Sequence, residues 1–380
     1  MAIVAVTNRI PEVGLAKLRA EHEVRAWEHS ECIPREEALR LIAGADAVLT
    51  LLTERVDGEF LDAAGPQLKV VANVAVGYNN IDVAACEAHG VIATNTPRVL
   101  TETTADTAFG LMLMVTRRFG EGERIIRSQT PWQWGMFYLL GMGLQGKTIG
   151  IVGMGQIGVA MARRAKAFGM TIEYADDYDP PAAALEGLDA RKVSLDELFE
   201  TADVVSLHCP YGPSTHHLVD AARLRSMKHT AYLVNSARGP IVDEDALVAA
   251  LRAGEIAGAG LDVFENEPAV HPGLLELENV VLLPHLGIGD DRDPRRDGRA
   301  RCRQRAGRPA RRPPDHPGDQ DLTSATGRRA RPQHRKVDDL LHARRYVVEP
   351  PKDRRPFGCR GTAYLGRRLD NHVRRVEPPP

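Results

Sequence analysis

Short apolar blocks alternate with amphipathic stretches from the first residues of the chain. The blocks at 2–6, 24–27, 47–52, 69–75 and 91–95 read as buried strands. The stretches at 11–20 and 35–43 read as helices, the first with Pro11 at its start. Alternating strand and helix predicts a parallel sheet covered by helices. The segment 101–116 is apolar on most faces and predicts a long helix bridging two domains. The alternation then resumes, with strands at 148–152, 171–175, 204–209, 231–235, 260–263 and 280–283 and helices such as 157–168 and 243–253 between them. The expected fold class is α/β, with two doubly wound parallel-sheet domains in residues 1–99 and 100–286.

After residue 286 the pattern stops. Arginine and proline dominate and the apolar periodicity is lost. Residues 1–286 carry about 14 more acids than bases, and the remainder about 12 more bases than acids, nearly all of them arginine. One reading is a disordered basic tail. A sharper one is a shifted reading frame, because Arg, Pro, Gly and Ala codons are GC-rich. A slip of one nucleotide from Ile288 permits Ser-Ala-Thr-Thr-Glu-Thr-Arg-Ala-Glu-Met-Ala across 288–298, and a stop codon within Leu322-Thr323. The expectation is that 287–322 is a degraded return to the first domain and 323–380 a disordered basic tail.

Composition narrows the class. A hydrophobic fraction of 43% supports real cores, and a formal net charge of −2 points to no nucleic-acid or membrane partner. The five cysteines are scattered without a C-x-x-C, so no metal site and no disulfide framework is expected and a cytoplasmic location is the default. The N-terminal run reads as a strand and not as a signal peptide.

The densest chemical signal is Thr148-Ile149-Gly150-Ile151-Val152-Gly153-Met154-Gly155-Gln156-Ile157-Gly158. Gly153, Gly155 and Gly158 fit G-x-G-x-x-G between a strand and a helix. The first glycine makes the tight turn, the second admits a pyrophosphate, and the third lets helix and strand pack. The helix start at Gln156 and Ile157 offers free N–H groups and a positive dipole end to phosphates. The next strand ends at Asp176, eighteen residues after Gly158, where an acid is needed to hold a ribose 2′-OH.

Three further segments follow strands of the same unit: Asn235-Ser236-Ala237-Arg238-Gly239, Asp262-Val263-Phe264-Glu265-Asn266-Glu267-Pro268 and Leu283-Pro284-His285-Leu286-Gly287. Ligands bind beyond the carboxyl ends of such strands, so Arg238, Glu267 and His285 can converge there. Arginine forks onto a carboxylate. Histidine can protonate a carbonyl oxygen, and a glutamate beside it favours the imidazolium and fixes its orientation. Singly, each fits a blander role: a surface ion pair, a solvated turn, a core histidine. Together and in this order they point to a site.

At this point the chain resembles the D-isomer-specific 2-hydroxyacid dehydrogenases, from about residue 45 to Gly287. The NxARG, DVFxxEP and PHxG segments carry the resemblance, with Asn73-Val74-Ala75-Val76-Gly77-Tyr78-Asn79-Asn80-Ile81-Asp82 and Leu144-Gln145-Gly146-Lys147-Thr148. The segments 96–106 and Trp132-Gln133-Trp134 are similar to the glyoxylate/hydroxypyruvate reductase (D-glycerate dehydrogenase) branch, and the two tryptophans fit either pocket shaping or a dimer interface. The resemblance implies a Rossmann NAD-binding domain inserted in a flavodoxin-like substrate domain, a small 2-oxo acid substrate, and a homodimer. Arg238 would grip the substrate carboxylate and carbonyl, His285 would be the proton donor, and Glu267 would support it. Backbone N–H groups of Val76 and Gly77 would hold the carboxylate. Thr104, Cys209, Pro210, Ala237 and Asp262 would line the cofactor. Asp176 with Asp177 beside it would repel a 2′-phosphate, which favours NAD over NADP. Two other readings stay open: an NAD-binding corepressor-like protein, and an inactive frameshifted dehydrogenase. Ile288 stands where the family usually has serine, which puts the closing helix of the substrate domain in question.

Overall fold

The computed structural model describes residues 1–288. Two sheets form, and every strand pair in them is parallel. The first contains β1 (Ile3–Val6), β2 (Glu23–Ala26), β3 (Ala47–Thr50), β4 (Val70–Asn73) and β5 (Ile92–Thr94), ordered β2-β1-β3-β4-β5. Its helices are α1 (Glu12–Glu21), α2 (Arg35–Ile42), α3 (Gly58–Ala64) and α4 (Val83–Ala88). This strand order is the flavodoxin-like one, whose switch point lies between the first and third strands. Asp57 and Asp82 cap α3 and α4 by accepting from Phe60 N and Ala85 N.

The chain then runs through α5 (Thr101–Thr116) and α6 (Phe119–Arg127) into the second sheet. That sheet holds β6 (Thr148–Val152), β7 (Thr171–Ala175), β8 (Arg191–Lys192), β9 (Val204–Leu207), β10 (Tyr232–Asn235), β11 (Gly258–Leu261) and β12 (Val280–Leu282). Its order, β12-β11-β10-β9-β6-β7-β8, is the doubly wound dinucleotide-binding order extended by one strand. The helices between are α7 (Gln156–Ala167), α8 (Ala182–Leu185), α9 (Leu195–Thr201), α10 (Ala221–Ser226), α11 (Glu244–Ala253) and α12 (Pro272–Leu275).

Each sheet is buried on both faces, which is why its strands read as continuous apolar runs. Val48, Phe60, Leu61 and Val71 fill one side of the first sheet, and Val4, Val6 and Leu15 the other. In the second, Leu198, Phe199, Val205 and Leu233 pack on one side, and Leu111, Met112, Ile149, Met161 and Ile172 on the other. Leu111 and Met112 come from α5, so the linking helix is also a core element of the second domain. The expected strand over 204–209 ends at Leu207, and His208 still donates its N–H to Val152 O at 2.7 Å beyond it. The expected return segment and basic tail lie outside the described residues from 289 onward.

Candidate active site

The glycine turn has the form that a dinucleotide requires. Gly153 has φ +93°, and a Cβ there would sit 2.5 Å from Cys209 N. A Cβ on Gly158 would collide with the Gly153 carbonyl oxygen, so α7 and the turn pack backbone to backbone. At Gly155, the N-cap of α7, a Cβ would meet no atom within 4 Å. The N-terminus of α7, beginning at Gln156 and Ile157, therefore opens onto free space as phosphate binding needs. Asp176 closes β7 beside this turn, its carboxylate accepting from Met154 N at 2.7 Å and Tyr178 N at 2.9 Å. These residues fit a dinucleotide. Burial pushes the His208 imidazole down to about 4 and the Cys209 thiol up to about 12, so both stay uncharged beside the turn.

Three turns at the carboxyl ends of β10, β11 and β12 carry the expected chemical groups. His285 has φ +54°, a strained backbone for a non-glycine residue. Its Nδ1 lies 2.8 Å from Glu267 Oε2, and Glu267 Oε1 accepts from Phe264 N at 2.9 Å. Burial pushes Glu267 up, but hydrogen bonds from His285 and Phe264 and the charges of His285 and Arg238 outweigh it, so the carboxylate sits below its ordinary range. Arg238 is lowered by burial and raised by Glu267. Its Nη1 donates to Ala237 O at 2.6 Å and its Nε to Asn79 Oδ1 at 3.0 Å, which joins it to the first domain.

That partner loop, 74–80, is held from behind. The carbonyl oxygens of Ala75, Val76 and Gly77 accept from Thr96 N, Asn95 Nδ2 and Asn73 Nδ2 at 2.9, 2.8 and 2.9 Å. In a trans peptide the next N–H points the opposite way, so the N–H groups of Val76 and Gly77 are turned away from these partners. A Cβ on Gly77 would run into the Arg238 guanidinium. Arg238, Glu267, His285 and the loop at Val76 and Gly77 are thus brought together.

Four residues expected to line the coenzyme, Asp262, Thr104, Ala237 and Pro210, also make hydrogen bonds within the fold. The Asp262 carboxylate, 1% exposed, accepts from Leu286 N at 2.7 Å and Gly287 N at 2.8 Å, and its carbonyl accepts from His285 N at 2.9 Å. Burial raises its pKa while the two N–H groups lower it. Asp262 therefore clamps the turn that bears His285. Thr104 Oγ1 lies 2.8 Å from both Leu100 O and Gly287 O. The Ala237 N–H goes to Asn235 Oδ1 at 3.0 Å, and Pro210 O accepts from Thr215 Oγ1 at 2.8 Å. Trp132 and Trp134 are 50% and 85% exposed.

Sequence reasoning passed over Asn79 as a partner of Arg238. It also missed the buried lattice beneath the loop, where Thr50 Oγ1 donates to Asn73 Oδ1 at 3.0 Å and Asn80 Nδ2 to Leu51 O at 2.8 Å. Asparagine closing an otherwise apolar strand was the available signal, because a buried amide must find partners.

A family model described as D-isomer specific 2-hydroxyacid dehydrogenase, NAD binding domain, matches residues 109–287. A glyoxylate reductase of Thermococcus onnurineus (strain NA1) is 49% identical over 289 residues, covering 75% of this chain and 86% of that protein. Among solved structures, a glyoxylate reductase from Paecilomyes thermophila superposes with a TM-score of 0.69 at 35% identity, covering 75% of this chain and 88% of the other. An NADPH-dependent glyoxylate/hydroxypyruvate reductase from Sinorhizobium meliloti, in complex with NADP and malonate, gives a TM-score of 0.66 at 37% identity, covering 76% and 88%.

Proposed function

The chain belongs to the D-isomer-specific 2-hydroxyacid dehydrogenases, and on that premise we propose that it is an NAD(P)H-dependent reductase of short 2-oxo acids, glyoxylate and hydroxypyruvate first among them, yielding the D-2-hydroxy acid where the product is chiral. The hydrogen bond of 2.8 Å between His285 Nδ1 and Glu267 Oε2, with Arg238 near enough to influence Glu267, carries this reading. The relatives' names favour a reductase over a regulatory NAD-binding protein.

The coenzyme, when bound, would supply the hydride for the carbonyl carbon. Gly153, Gly155, Gln156, Ile157 and Gly158 would hold its phosphates, and Asp176 its ribose. His285, with Nδ1 tied to Glu267, gives a proton from Nε2 to the carbonyl oxygen, help typically worth about 10²–10⁴-fold. Arg238 forks onto the carboxylate and carbonyl, and the N–H groups of Val76 and Gly77 take the remaining carboxylate oxygen. Asp262 and Thr104 act on this chemistry through the His285 turn. The charges of Asp176 and Asp177 favour NADH over NADPH.

A homodimer through the second domain is supported by Trp134, Met136, Phe137 and Leu140, each at least 60% exposed on one segment. The scattered cysteines support a cytoplasmic location. No helix among the described residues is long and apolar enough to cross a membrane. Steady-state rates on a short panel of 2-oxo acids with NADH and NADPH test the function. Glyoxylate and hydroxypyruvate should lead the panel with NADH preferred, and a protein that oxidises neither coenzyme with any of them would refute it.

A further inference from the structure

Arg238 and Glu267 sit on different turns, and one residue outside the described chemistry touches both. His217 has φ +47°, a costly backbone for a residue with a side chain. Its N–H donates to Pro240 O at 2.9 Å, and its Nε2 lies 2.5 Å from Glu265 Oε1. Pro240 is two residues beyond Arg238, and Glu265 two residues before Glu267. Between the two turns Gly239 is buried, and a Cβ there would strike the carbonyl of Phe264 and the amide nitrogen of Glu265. The turns therefore meet backbone to backbone, with His217 pinning both from behind.

The charged surroundings of the pair are compact. Asp243 Oδ2 lies 4.0 Å from His217 Nδ1, and the His216 ring stacks on His217 at 4.0 Å. Glu244 Oε1 accepts from Glu265 N at 3.0 Å, and Glu265 Oε2 accepts from Glu244 N at 3.4 Å. A side-chain contact this accessible, with side chains 36% and 22% exposed, adds little stability. A strained backbone persists where the surroundings over-determine it, and such residues cluster at functional sites.

Building on the reading above, we propose that His217 and Glu265 are a positioning pair for the reduction, fixing the spacing of the Arg238 and Glu267 turns. The pair touches neither substrate nor coenzyme and acts on His285 through Glu267. Small misplacements of such groups can cost about a hundredfold in rate.

The test uses the full chain and the variants His217→Ala, His217→Gln and Glu265→Ala. Readouts are kcat and KM for glyoxylate, the Kd of the unreactive 2-oxo acid isostere oxamate, the Kd of NADH, and Tm. H217A should lower kcat/KM tenfold or more, weaken oxamate at least fivefold, and leave the NADH Kd within twofold. H217Q, which keeps a donor for Glu265, should recover to within threefold of the parent. E265A should repeat H217A, with the double variant little worse than either. If H217A fails to fold, Glu265→Gln carries the same readouts and should lower kcat/KM at least threefold. Parent-like kcat/KM and oxamate Kd in H217A, or parent-like kcat/KM in E265Q where it stands in, overturn the pair alone. A parent that reduces no 2-oxo acid overturns the functional reading together with it.

Discussion

A single ring orientation carries the proposed proton transfer. With Nδ1 held by Glu267 at 2.8 Å, only Nε2 of His285 is left to serve the substrate oxygen. His285→Gln should lower kcat by about 10²–10⁴-fold while the NADH Kd, read by fluorescence titration, stays within threefold. A loss of less than tenfold would remove His285 from the proton-donor role. Gly77 makes a second residue-level claim. No side chain fits between the loop and Arg238, because a Cβ at Gly77 would run into the guanidinium. Gly77→Ala should therefore raise KM for glyoxylate about tenfold or more through a displaced arginine, with Tm nearly unchanged by scanning calorimetry. An unaltered KM would show that Arg238 can move aside without cost.

At the scale of elements, two carboxylates near one turn make opposite contributions to stability. Glu244 opens α11, is 4% exposed, and is held above its ordinary range by burial, opposed by the Glu265 N–H. A raised carboxyl stabilises the fold fully below its unfolded pKa, about 4.3, and that contribution is lost as pH rises through the folded value. Glu267 is held below its ordinary range, so its contribution is present above that pKa and lost as pH falls through the folded value. Relative to the parent, Glu244→Gln should gain Tm as pH rises from about 4 to about 7, and Glu267→Gln should lose Tm as pH rises from about 3 to about 5. Melting curves across the two intervals check both signs, and a pH-independent difference for either variant over its own interval would rule out its titration. The elements that place these groups were largely legible, because doubly buried strands write themselves as apolar runs ended by glycine, aspartate or asparagine. What was not legible depends on contacts distant in the chain. Arg238 meets Asn79 across 159 residues, and Thr104 meets Gly287 across 183, with no local pattern to announce either. The hold of Asp262 on the His285 turn is distant in the same way, because nothing in its own segment shows that the N–H groups of Leu286 and Gly287 donate to its carboxylate.

For the whole molecule, the decisive place is where the second domain hands the chain on. Gly287 is fixed on both sides, its N–H to Asp262 and its carbonyl to Thr104, each at 2.8 Å. The chain thus leaves the dinucleotide domain beside the first turn of α5, the helix that led in from the first domain. A segment passing back to the first domain from here would close the substrate side of the site. The family match ends at this residue, and the excess of acids gives way to an excess of arginine just after it. A shifted frame from Ile288 would account for both, because it would replace an apolar, periodic segment with GC-rich codons read out of phase. The gene should therefore read Ser-Ala-Thr-Thr-Glu-Thr-Arg-Ala-Glu-Met-Ala across codons 288–298 when advanced by one nucleotide, with a stop within codons 322–323. Direct sequencing decides this, since codons unable to encode that text end the idea. The frame-restored protein should then melt higher than the present chain and bind oxamate more tightly. Both should bind NADH alike, because every residue assigned to the coenzyme lies before the junction.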